Sequence, residues 1–129
     1  LIISLAGYTA DDWPIVKITG PITDLGMTHY ADVLVEQIVI TGTIPAGEVW
    51  KFDLRPGYKT VQRVSDSANR LSFVTAGTRQ SFSTMRILST KTAKAYSAAA
   101  ASNTWNFTGT STTAATQAEM TWFKRYLSL

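Results

Sequence analysis

The sequence contains no cysteine, a single histidine and no apolar run near the roughly 20 residues that cross a membrane. Without cysteine there is no disulfide and no thiolate metal site, although the compartment stays open because many secreted and virion proteins also lack disulfides. A Ser-His-Asp arrangement, or most zinc sites, would have to use His29. Its neighbours are Thr28 and Tyr30, with no second ligand at metal spacing, so the expectation is a strand histidine paired to backbone or water. Leu1-Ile2-Ile3-Ser4-Leu5-Ala6 is too short for a signal peptide and has no basic flank before it.

Charge is also sparse. Charged residues make up 16% of the chain and the net charge is +3. The twelve cations are dispersed, with Lys124-Arg125 the only adjacent pair, whereas a nucleic-acid surface needs a clustered basic face. Solvated strand faces account for such a pattern, and no nucleic-acid partner is expected. Asp11-Asp12 reads as a solvated linker. A calcium loop needs six to eight oxygens, and only Asp24 and Asp32 lie remotely near. Glu36, Glu48 and Glu119 are single acids in strands, and no placed carboxylate pair of the glycosidase kind is visible. The expectation is therefore no enzyme, no catalytic residue, no cofactor and no metal.

What the chain does have is a core. Its 129 residues are 45% hydrophobic, enough for one domain and too apolar for disorder. The clearest pattern runs from Thr41 to Val61. Pro45 to Gly47 is turn chemistry. Trp50, Phe52 and Leu54 then alternate with Val49, Lys51 and Asp53, the period of a strand with one buried face. Pro56-Gly57 follows, Pro presetting φ and Gly accepting φ > 0 in the next turn position. This is a hairpin, with strands near Glu48–Leu54 and Lys59–Val64.

Other strands are expected at Leu1–Leu5, Trp13–Thr19, Leu25–Tyr30, Val33–Thr41, Leu71–Thr75, Ser81–Leu88 (with an irregularity), Asn103–Gly109 and Gln117–Leu127. Gly20-Pro21 and Ser65 to Asn69 read as turns. Thr90 to Ser102 is alanine-rich without a sustained apolar stripe and reads as a loop or one short helix. About nine short strands with turn-separated spacing predict an all-β, antiparallel β-sandwich or barrel. Residues 1–12 read as a linker or the end of a preceding domain, and 13–129 as a single domain. The chain starts mid-pattern without an initiator Met, and the expectation is a domain of a longer polypeptide.

Four Trp, five Tyr and five Phe are present. Exposed aromatics on a sandwich serve as interface hot spots or sugar-stacking platforms. The alternation puts most Trp on the same face as aliphatics, hence in the core. Trp13, beside the linker, is the exception, and Trp13, Tyr30, Tyr58 and Tyr96 are the candidate interface or glycan-stacking residues.

Three segments, read together, resemble a known family. They are Gly7 to Pro21, ending Thr19-Gly20-Pro21; Gly42 to Val61, with Pro45-Ala46-Gly47-Glu48, Phe52-Asp53 and Arg55-Pro56-Gly57-Tyr58-Lys59-Thr60-Val61; and Trp122-Phe123-Lys124-Arg125-Tyr126-Leu127-Ser128-Leu129. Their order and spacing look like the carboxy-terminal domain of the distal tail proteins of long, non-contractile-tailed phages. The departure is at Thr90 to Ser102, where only Asn103 remains of a Leu-Pro-Gly-x-Asn type turn. The resemblance implies a galectin-like sandwich of jelly-roll type. It also implies a virion location at the distal tail end and an amino-terminal domain, outside this chain, that builds a homo-hexameric ring. The implied partners are the tail tube and tail hub proteins and a receptor-binding protein or host glycan. No galectin sugar-site pattern is present and no catalytic residue transfers.

Overall fold

The computed structural model describes residues 2–4, 12–31, 34–88 and 102–122. The protein is all-β, with antiparallel sheets and little helix. The strands are β1 (Ile2–Ser4), β2 (Ile15–Thr19), β3 (Ile22–Ala31), β4 (Leu34–Val39), β5 (Thr43–Ile44), β6 (Val49–Asp53), β7 (Thr60–Arg63), β8 (Ser102–Thr110) and β9 (Gln117–Thr121). A single described α-helix, α1, spans Arg79–Thr84. One sheet has the order β1-β8-β3-β4, with β5 also paired to β3, and the other runs β7-β6-β2-β9.

The alternation of the hairpin segment sets the second sheet. Phe52 is paired to Val16 of β2 and to Val61 of β7, and Trp50 to Ile18. Val16, Ile18, Trp50, Phe52 and Val61 are all buried. Removing each such side chain from water contributes about 1.5–3 kcal/mol. On the other face, Lys17 lies between Lys51 and Glu119. In the first sheet the same period brings Leu25, Met27 and His29 of β3 into line with Ile38 of β4 and with Trp105 and Phe107 of β8. The apolar faces of both sheets feed one buried cluster, with Phe107, Met120 and Trp122 packed against it.

β3 serves two partners because its ladder slips. It pairs with β5 at Ile22 and Thr23, then with β4 from Gly26 onward, and its register to β8 shifts between Thr23 and Gly26. Asp24 sits in that interval at φ +52°, a conformation its short polar side chain tolerates. Its backbone N–H donates to the Gly42 carbonyl at 2.8 Å, and its carboxylate accepts the Gly42 N–H at 3.0 Å.

Two expected strands are something else. Leu71–Thr75 is a 3-10 turn at Leu71–Phe73, started by the Asn69 side chain accepting the Leu71 N–H at 2.9 Å. Only Val74 pairs, bridging to Ile40. Ser81–Leu88 opens within α1, where Phe82 and Met85 lie three residues apart on one buried side, and becomes extended at Met85. Segment 73–78 then hides the outer edge of β4: Thr41 N–H donates to Phe73, Thr75 N–H to Val39, and Val39 N–H to the Thr78 hydroxyl. Gly20-Pro21, joined by a cis peptide, is no reversal either, because it carries the chain from β2 in one sheet into β3 in the other. Asp12, expected in a solvated linker, is buried, and its backbone pairs with that of Ile87. Segment 5–11, segment 89–101 (expected as a loop or one short helix over Thr90–Ser102) and the expected closing strand past Trp122 lie outside the described residues.

Trp50→Ala and Phe52→Ala are each expected to lower unfolding free energy by roughly 3–5 kcal/mol. Lys17→Ala, on the exposed face, should change it by less than about 0.5 kcal/mol. Urea denaturation measures both, and a Phe52→Ala midpoint equal to wild type would contradict the core assignment.

Candidate functional site

Among the described residues, the tip of the β6–β7 hairpin gathers a cluster of ion-pair, cation–π and backbone contacts. Arg55-Pro56-Gly57-Tyr58 closes a turn in which the Tyr58 N–H donates to the Arg55 carbonyl at 3.1 Å and Gly57 takes φ +84°. Asp53 is buried at the end of β6, and Arg55 folds back over it with a two-pronged contact, Nε to Oδ1 at 2.9 Å and Nη2 to Oδ2 at 2.8 Å. Burial alone would push the Asp53 carboxyl up. The Arg55 fork and its backbone N–H, with the Arg55 and Lys51 charges, outweigh that and hold it below its ordinary value. The same guanidinium lies 4.2 Å from the Tyr58 ring centre.

Lys59 follows the turn at φ +48°, and it is half-buried. Its ammonium donates to the Leu54 carbonyl at 2.6 Å and sits 4.0 Å over the ring of Trp13. Arg86 approaches the same ring at 5.5 Å. Burial and the neighbouring Arg86 charge lower the Lys59 pKa, opposed by Asp53 and Glu36. Behind this cluster a groove of about 470 Å3 opens between the hairpin and α1, lined by Lys59, Leu71, Val74, Arg79, Phe82 and Ser83 among others. Arg79 donates to the Val74 carbonyl at 3.2 Å. At the far end of β7, Arg63 joins Glu48 at 3.1 Å and Asp66 at 2.5 Å, and those contacts hold both carboxylates below their ordinary range. For Glu48 the hydrogen bond from the Trp50 indole at 3.0 Å is the largest influence.

A second opening, also about 470 Å3, lies where the two sheets part near the β8–β9 loop. Ile18, Ile22 and Phe107 form its apolar wall, and Thr113 and Thr116 stand at its rim.

No family model, no curated protein and no solved structure matches this chain.

The structure separates the four aromatic candidates. Trp13 is half-buried beneath Lys59, and Tyr58, 58% exposed, stands at the hairpin tip beside Arg55. Tyr30 is on the other sheet, opposite Val35, and both are exposed. Tyr96 lies outside the described residues. The cations beside the first two, Arg55, Lys59 and Arg86, and Arg79, which lines the groove with Lys59, are dispersed in the sequence. A loop, a strand end, a helix and an extended segment bring them to one region, and only Arg55 and Tyr58, flanking Pro56-Gly57, carried a local signal.

His29 is in the core. Asn103 Oδ1 accepts from its Nε2 at 2.8 Å and from the Leu88 N–H at 2.9 Å, while Asn103 Nδ2 donates to the Leu88 carbonyl at 3.0 Å. An amide oxygen only accepts, so Nε2 carries the proton of the neutral ring. Nδ1 has no hydrogen-bond partner among the described residues, and the ring lies 4.9 Å from that of Trp105. Its partner is thus a side chain, not the backbone or water expected. Among the described residues no three His, Cys, Asp or Glu groups lie close enough to hold a metal ion.

Burial lowers the His29 pKa below 6.5, outweighing Asn103 and Glu36, which raise it. In the window below 6.5 the unfolded chain binds a proton that the folded chain refuses, so stability falls as pH drops through that window. The thermal midpoint is expected to decline below about pH 6.5 in wild type, and His29→Gln should lack that step. Identical profiles for the two proteins would assign the decline to other groups.

Proposed function

We propose that this chain is a structural domain of a phage tail tip: the galectin-like β-sandwich of a distal tail protein, working through protein contacts and without catalysis. The observation that carries the reading is the neighbourhood of the three resembling segments. β2 from the first pairs with β6 from the second, and β9, which leads directly into Trp122 of the third, pairs with the other edge of β2. The Thr19-Gly20-Pro21 ending of the first also docks on the Pro45-Ala46-Gly47-Glu48 turn of the second, with the Gly20 N–H donating to the Glu48 carbonyl at 2.9 Å. The first two segments, and the strand that leads into the third, therefore answer to one local packing arrangement. The two sheets around a single core agree with a sandwich.

In this role the domain lies at the periphery of a hexameric ring built by an amino-terminal domain. The ring joins the tail tube to the tail hub, and the domain offers its outer surface to receptor-binding proteins. No helix among the described residues is long and apolar enough to cross a membrane. A host-glycan platform is the weaker reading. Lys59 occupies a face of Trp13, Arg55 one of Tyr58, and Tyr30 is on the other sheet, so the three do not share one flat aromatic platform.

Antibodies raised against the domain should label the distal end of the tail in negatively stained particles, in about six copies around the tail axis. Label on the capsid, or on no part of the particle, would overturn the proposal.

A further inference from the structure

We propose that the groove between the β6–β7 hairpin and α1 binds an acidic peptide segment bearing an apolar side chain, supplied by a partner protein. The inference rests on charge and shape and does not depend on the tail role. Charge is the first observation. The hairpin's two arginines are neutralised, Arg55 by Asp53 and Arg63 by Glu48 and Asp66, and Lys51 lies on the open sheet face beside Lys17. Lys59 and Arg79, which line the groove, hydrogen-bond only backbone carbonyls, those of Leu54 and Val74. Arg70, beside it, donates to the Asn69 carbonyl at 3.3 Å. No carboxylate lines the groove among the described residues. A carboxylate placed there gains charge-assisted hydrogen bonds that the fold itself does not supply.

Shape is the second. Leu71, Val74 and Phe82 give the groove an apolar wall, and Leu71 and the neighbouring Phe73 are each 37% exposed. Arg70 lies 5.9 Å from the Phe73 ring. Exposed aromatic and aliphatic side chains mixed with Arg are the composition of a protein-binding patch. A bare inorganic anion would leave that wall uncovered. The volume of about 470 Å3 is enough for a large side chain with its flanking backbone.

Charge also chooses between occupants. Segments 89–101 and 123–129 carry Lys91, Lys94, Lys124 and Arg125 and no acid, and segment 5–11 carries a single one, Asp11, so none of them supplies an acidic run. A second copy, with net charge +3, is repelled as well. An acidic run on a partner protein is the complement that this charge pattern fits.

The probe is a fluorescein-labelled hexapeptide of four glutamates around a central Leu-Phe, read by fluorescence anisotropy against the protein. It should bind, and replacing Leu-Phe by two serines should weaken it about tenfold. Arg79→Glu should weaken it by a similar factor. Ser83→Glu, an exposed helix position on the groove wall, tests the same charge logic where folding is not at stake. It too should weaken binding about tenfold, while Lys17→Glu, on the opposite sheet face, should stay within about twofold. No binding at about 1 mM protein would overturn the proposal. So would affinities unchanged by both Arg79→Glu and Ser83→Glu. Tighter binding of a sulfated oligosaccharide than of the peptide would make this a glycan site and equally overturn it.

Discussion

The fold depends on one backbone contact that leaves no room for a side chain. A Cβ on Gly20 would lie 2.1 Å from the Pro45 carbonyl oxygen and 2.5 Å from that of Ile44. Both obstacles are backbone, so neither can swing aside as a flexible side chain would. At this point the chain leaves β2 and enters β3, crossing from one sheet to the other. The same glycine donates its N–H to Glu48 at the start of the hairpin strand. One position thus sets the spacing of the sheets, aims Ile18 and Ile22 into the shared core from either side of the crossing, and fixes where β6 begins beside β2. Sheet register follows from there, because a slip of one residue would turn Val16, Ile18, Trp50 and Phe52 away from the core.

Much of this was legible from period and turn chemistry. Trp50, Phe52 and Leu54 alternate because β6 has a buried and an open face, and Pro56-Gly57 reverses the chain because Gly57 accepts a positive φ. Other parts were legible only in the wrong terms. Leu71 and Phe73 are apolar yet exposed, so their hydrophobicity suggested a buried strand. A local Asn69 side-chain bond decided for a 3-10 turn instead. Phe82 and Met85 fit both a short strand and one helical turn, and six residues are too few for the helical period to stand out. Asp12 looked solvated because an isolated acid usually is. Its burial follows from pairing with Ile87, 75 positions along the chain, which no local pattern reports.

The polar region at the hairpin tip was nearly invisible in the sequence for a related reason. Its cations come one at a time from separate elements, and net charge is blind to such convergence. What the fold adds is a division of labour. Arg55 and Arg63 are spent on carboxylates and hold the hairpin's two ends, whereas Lys59 and Arg79 are turned towards backbone and a groove. The grouping of these cations is a by-product of where the β6–β7 hairpin lands, and that again traces to the crossing at Gly20.

The most direct measurement is the urea midpoint of Gly20→Ala beside that of Gly77→Ala, where an added Cβ meets nothing within 4 Å. Gly20→Ala is expected to lose at least about 3 kcal/mol, or to show no cooperative transition at all. Gly77→Ala is expected to change stability by no more than about 1 kcal/mol. A Gly20→Ala protein that unfolds at the wild-type midpoint would contradict the claim that this contact governs the packing of the two sheets.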